Sequence, residues 1–105
     1  MAKYLIEGSY GVSAKGLLKE GGTSRRALVE GLVNSIGGKI EAFYYAFGDT
    51  DVFVIADLPD NVTAAALSLA VNASGAVAVK VRVLLTPEEI DAAAKKNLIY
   101  RAPGQ

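Results

Sequence analysis

The stretch Phe43-Tyr44-Tyr45-Ala46-Phe47-Gly48-Asp49-Thr50-Asp51-Val52-Phe53-Val54-Ile55-Ala56-Asp57 constrains the fold more than any other part of the chain. Two runs rich in aromatic and β-branched residues flank a short Gly/Asp/Thr turn, which predicts a β-hairpin inside a sheet. Five of the eight aromatic side chains lie in it. A chain of 105 residues built around such a hairpin has room for one domain, residues 1–105, with a single modest core.

The remaining elements follow from local punctuation. Residues 3–10 read as a first strand. After Gly11-Val12-Ser13 a short helix covers Ala14 to Glu20, and Gly21-Gly22 breaks it. Thr23 or Ser24 can cap a second helix whose Leu28, Val29, Leu32, Val33 and Ile36 recur at helical spacing, ending at Gly37-Gly38. The hairpin strands span about 39–47 and 52–58. Pro59-Asp60-Asn61 then stops the second and caps a helix from Val62 to about Ser74. A fourth strand, Val77 to Leu84, carries Val at each odd position to 83. Thr86-Pro87-Glu88-Glu89 is a capping-box start for a last helix reaching about Lys96. The order β-α-β-β-α-β with a terminal helix predicts an α+β, ferredoxin-like domain with its main helices on one side of an antiparallel sheet.

Composition excludes several chemistries. With 11 basic and 11 acidic residues the net charge is zero, so no bulk field draws the chain to nucleic acid or to an anionic membrane. Lacking Cys and His, it has neither thiolate chemistry nor the commonest general base and metal ligand. Any catalysis rests on carboxylates, Tyr, Lys, Arg or a bound group. We expect no metal and no cofactor. Met1–Glu7 meets a charge before any long apolar run, and the uncharged Asn61–Val79 segment is too rich in Ala and polar residues for a membrane span. A cytoplasmic location is the expectation.

Strand alternation sorts side chains by face. Under strict alternation, Tyr4, Ile6 and Gly8; Ile40, Ala42, Tyr44 and Ala46; Val52, Val54 and Ala56; and Val77, Val79, Val81 and Val83 lie under the helices. Leu5, Glu7, Glu41, Phe43, Tyr45, Phe47, Asp51, Phe53, Ile55, Asp57, Lys80, Arg82 and Leu84 fall on the other face, which no helix is left to cover. Such an apolar area exceeds what a monomer usually exposes. The expected partner is a second copy, sheet facing sheet, in a dimeric α/β barrel with a semi-polar interior. The Ala64–Ala73 helix has little polar surface, so it reads either as an Ala-rich surface helix or as a second interface leading to a larger assembly.

Candidate sites follow from that arrangement. Glu7, Phe43, Tyr45, Phe47, Asp51, Phe53, Lys80 and Arg82 would line the barrel interior and bind a small organic molecule. For Glu7 with Lys80 or Arg82, the plainer role is a structural ion pair. Asp49 and Asp51 are turn residues too few in oxygens for a hard cation. Arg25 and Arg26 stand in a helix's first turn, where the dipole disfavours cations. They mark either a weak anion site or guanidinium groups solvated or paired with acids. Gly37-Gly38-Lys39 runs into a strand and lacks the Ser or Thr of a P-loop.

Taken together, several motifs resemble the GYD-domain family of small bacterial and archaeal proteins over nearly the whole length. They are Gly37-Gly38-Lys39, Phe47-Gly48 followed by Asp51-Val52, Pro59-Asp60, the Ala-rich helix to Ser74-Gly75, Leu85-Thr86-Pro87-Glu88-Glu89 and Tyr100-Arg101-Ala102-Pro103-Gly104. The naming motif looks like Gly-x-Tyr-Asp. Gly48 and Asp51 match it, and Thr50 replaces the Tyr. The resemblance implies a ferredoxin-like subunit of a dimeric α/β barrel and brings no established activity. Three functions are therefore weighed: a homo-oligomer that binds a small molecule or simply assembles, a small enzyme of the cofactor-independent monooxygenase kind using Tyr45, Arg82 and Glu7 or Asp51, and a structural subunit of a ring or shell. The enzyme reading rests on fold analogy alone.

Overall fold

The computed structural model describes all of Met1–Gln105. The chain runs β1 (Ala2–Ser9), a 3-10 turn (Gly11–Ser13), α1 (Ala14–Glu20), α2 (Gly22–Ser35), β2 (Lys39–Tyr45), β3 (Val52–Leu58), α3 (Asn61–Ala73), β4 (Ala78–Leu84) and α4 (Pro87–Ala94). The strands form one open antiparallel sheet in the order β2-β3-β1-β4. The first and fourth strands are thus neighbours, as the split βαβ reading requires.

Helix ends show why these segments fold as they do. Asp60 accepts the Thr63 N–H at 2.8 Å and starts α3. Thr86 and Glu89 form the reciprocal capping box of α4. The start of α2 differs from the sequence expectation, since neither Thr23 nor Ser24 caps it. Gly21 takes φ 85° and supplies its own carbonyl to Arg25 N, so α1 turns directly into α2. Gly37, at φ 84°, ends α2 in the left-handed conformation expected of it.

The largest departure lies in β2. Ile40 pairs with Ala56, but Ala42 and not Glu41 pairs with Ile55, so Glu41 is the extra residue of a β-bulge. The bulge inverts the alternation of everything after it. Phe43 now aligns with Val54 and Tyr45 with Val52, on the helix side. Ala42 and Tyr44 move to the open side, and Tyr44 is 71% exposed. Strict alternation had assigned the reverse. The strand also ends at Tyr45, which leaves Ala46 and Phe47 in the turn.

The core lies between the sheet and α2 and α3. Tyr4, Ile6, Val54, Ala56 and Leu58 supply its floor, and Val33, Ala64 and Leu67 its roof. The Tyr4 ring is buried, with its hydroxyl donating to Asn61 Oδ1 at 2.5 Å. Gly38 is obligatory here, because a Cβ would lie 2.6 Å from the Asp57 carbonyl. Beyond β4 the chain leaves the domain: residues 85–101 are all exposed, α4 buries nothing, and Ile90, Leu98, Ile99 and Tyr100 face solvent. The radius of gyration, 16.8 Å, therefore exceeds the roughly 13 Å of a compact chain of this length. No helix is long and apolar enough to cross a membrane.

Candidate functional site

The open side of the sheet is built from three cross-strand rows. Tyr44, Phe53, Glu7 and Lys80 form one, Ala42, Ile55, Leu5 and Arg82 the next, and Lys39, Asp57, Lys3 and Leu84 the third. Antiparallel partners point the same way, so each row is a contiguous stripe. Leu5, Phe53, Ile55 and Leu84 are half-buried by their neighbours alone, with no helix above them. The apolar area is narrower than strict alternation predicts, because the bulge removes Phe43 and the turn carries Phe47 away, fully exposed.

Charges on this side are organised. Glu7 Oε2 accepts from Arg82 Nε at 2.6 Å, a diagonal contact two residues along β4 from the Lys80 that stands directly opposite Glu7. Lys80 forms no ion pair. Lys3 Nζ reaches Glu41 Oε2 at 2.9 Å and Asp57 Oδ1 at 3.1 Å, and these bonds, chiefly that to Glu41, raise its pKa. The bulge residue is thus tied back to the face. Exposed to water, such pairs contribute little to stability.

On the helix side, Phe43 and Tyr45 meet edge to face at 5.3 Å. The Tyr45 hydroxyl donates to the Gly22 carbonyl at 2.9 Å, and a Cβ on Gly22 would meet the Tyr45 ring at 2.9 Å. Burial against α2, then the neighbouring Tyr10, raises the Tyr45 phenol pKa. Next to this pair Arg25 enters the layer between helices and sheet. Its Nε is buried without a hydrogen-bond partner and it has no acidic residue within ion-pair distance. Arg26 instead points outward to Glu30, 3.7 Å away. The first-turn pair thus separates into one surface ion pair and one inward, unpaired guanidinium. A cavity of ≈ 70 Å³ lies beside Arg25.

The β2–β3 turn does structural work. Asp51 Oδ2 accepts from Tyr10 N at 2.8 Å, Asp51 N donates to Gly8 O at 2.9 Å, and Ser9 Oγ donates to Asp49 O at 2.8 Å. The turn is clamped to the end of β1, with Thr50 between the two Asp residues. No three His, Cys, Asp or Glu side chains gather anywhere as a metal cage. The expected site residues therefore divide in three. Glu7, Phe53, Lys80 and Arg82 share the open face; Phe43, Tyr45 and Arg25 lie behind the sheet; Phe47 and Asp51 belong to the turn. Sequence reasoning missed Tyr10, buried beside Arg25. It continues the Tyr4, Ile6, Gly8 alternation by one step, and carrying that parity to the last residue of the expected 3–10 strand finds it.

These side chains are set in an α+β domain with an open antiparallel sheet, helices on one side and an apolar face carrying ion pairs on the other. The GYD domain family model matches residues 4–94, and the chain belongs to that family. No curated protein and no solved structure matches it.

Proposed function

We propose that the chain functions as a homo-oligomer, a ferredoxin-like subunit whose open sheet face meets the same face of a second copy in a dimeric α/β barrel. The observation that carries this is the stripe Leu5, Phe53, Ile55 and Leu84, which the chain's own helices leave uncovered. Charge argues for a second copy over another partner. Glu7, Glu41 and Asp57 are nearly balanced on the same face by Lys3, Lys39, Lys80 and Arg82, so a twofold pairing can set acids against bases with little net repulsion. Four strands at about 4.8 Å spacing and about 3.4 Å per residue give roughly 450 Å² of plan area per copy. The pair would cover about 900 Å² before side-chain relief is counted, near the smaller specific interfaces.

Two further features support assembly beyond a pair. The outer face of α3 exposes Val62, Ala65, Ala66, Leu69, Ala70 and Ala73, while only Ala64 and Leu67 are buried beneath it. The arm after β4 carries Ile90, Leu98, Ile99 and Tyr100 into solvent. Both are apolar surfaces that a neighbouring copy would cover.

Sedimentation equilibrium and native mass spectrometry test the reading. A dimer or a multiple of it at micromolar concentration is expected, and Ile55→Asp should yield folded monomer. A wild-type chain that stays monomeric throughout that range would sink the proposal.

A further inference from the structure

On the covered side of the sheet the two helices divide the work unevenly. α2 packs over β2, and α3 packs over β4 and β3. Between them the layer is not filled. The ≈ 70 Å³ cavity there is walled by Val29, Phe43, Val54, Leu67, Val71 and Val79 among others, with Gly8 in its floor. Gly8 is closely fitted, since a Cβ would lie 2.8 Å from Val52. Arg25 is the one charged residue in this wall. Arg25, Tyr10 and Val77 also border an outer cleft of ≈ 180 Å³, whose rim includes Ser13 and Glu20. The Arg25 side chain thus stands where an apolar inner chamber meets a more polar mouth.

A buried N–H donor without a partner is unfavourable unless something offsets it. A guanidinium has five N–H donors and no acceptor, so a buried Nε without a partner leaves one donor unsatisfied beside apolar walls. No carboxylate of the chain answers it. Glu20 borders the cleft yet makes no ion pair with Arg25. A ligand carboxylate would satisfy it with charge-assisted hydrogen bonds, and an attached hydrocarbon group would fill the chamber. Size narrows the class. An apolar cavity of about 150 Å³ takes the six carbons of benzene, so a chamber of ≈ 70 Å³, about half that, suits a branched end of about three carbons and excludes a ring.

We propose that the gap between α2 and α3 is a binding site for a small branched aliphatic monocarboxylate, its carboxylate on Arg25 and its alkyl end among Val29, Val54, Leu67, Val71 and Val79. The site lies behind the sheet, in each subunit separately, so it does not depend on the pairing of the open faces.

Isovalerate is the probe, titrated into the full-length protein and followed by methyl and amide NMR. Saturable shifts should centre on Val29, Leu67, Val71 and Val79. The neutral isostere 3-methyl-1-butanol, acetate and inorganic phosphate should each bind about tenfold more weakly or worse, as loss of either the charged bond or the alkyl contact requires. In Arg25→Gln the advantage of the acid over the alcohol should collapse to near unity while the alcohol still reaches the chamber, and Arg25→Lys should restore part of it. That ratio, read within one folded variant, separates ligand recognition from lost stability. Shifts centred on Leu5, Phe53 and Ile55, phosphate binding as tightly as isovalerate, or an acid preference unchanged in Arg25→Gln would each overturn the proposal.

Discussion

On the helix side of the sheet, Tyr4, Ile6, Val54, Ala56 and Leu58 are each below a tenth exposed. On the other side Leu5, Phe53, Ile55 and Leu84, from the same strands, stay half-buried beside Lys3, Glu7, Asp57 and Arg82. The two sides differ in what they must tolerate. A face covered by its own helices never meets water in the folded state and needs no charge. A face left open to solvent must stay soluble, and ion pairs spaced among apolar groups serve that end. Even the covered side is incomplete, because α2 and α3 leave a chamber with Arg25 at its edge.

Substitutions can break this contrast. Leu58→Ala, at a fully buried site, should destabilise by about 2–5 kcal/mol, equally at all protein concentrations in urea melts. Ile55→Ala should cost less, about 1 kcal/mol in the dissociated chain, with a further loss that grows as protein concentration rises. If both variants behave alike with dilution, the distinction between the faces is lost.

The bulge gives a smaller and sharper comparison. Tyr45→Phe removes the bond to the Gly22 carbonyl and should cost about 1 kcal/mol, whereas Tyr44→Phe, one residue away on the open side, should leave the isolated chain unchanged. Deleting Glu41 should leave Phe43 and Tyr45 where they are, because the remaining residues then alternate regularly. A crystal structure or cross-strand nuclear Overhauser contacts between Tyr45 and α2 would check it.

The smallest effect concerns pH. The Thr63 backbone N–H holds the Asp60 carboxyl below its ordinary value. A depressed folded-state pKa means that the cap's contribution is complete above the unfolded value, near pH 4, and fades as pH falls through the lower folded one. Asp60→Asn keeps an acceptor that does not titrate, so its melting temperature should depend less on pH across that acidic window.

Much of the fold was legible in local chemistry. The capping box at Thr86, the Asp60 cap and the Gly37 stop each need only a few neighbouring residues, and helix ends followed from them. The alternation of β1 and β3 was legible too, since one residue in two is strongly apolar. The candidate site was only half legible. Glu7 and Arg82 came together because strand order followed from the β-α-β-β-α-β pattern. Phe43 and Tyr45 were placed on the wrong side because a bulge is a property of two strands in register.

By itself, then, the sequence determined the elements, their order, and the two kinds of face that alternation creates, all consequences of backbone geometry acting over a few residues. The tertiary structure alone decided that Glu41 would be the extra residue, that Arg25 would turn inward while Arg26 found Glu30, and that two helices would leave a gap above the sheet. Those outcomes depend on how the widths of four strands and two helices fit together, a quantity no local pattern contains.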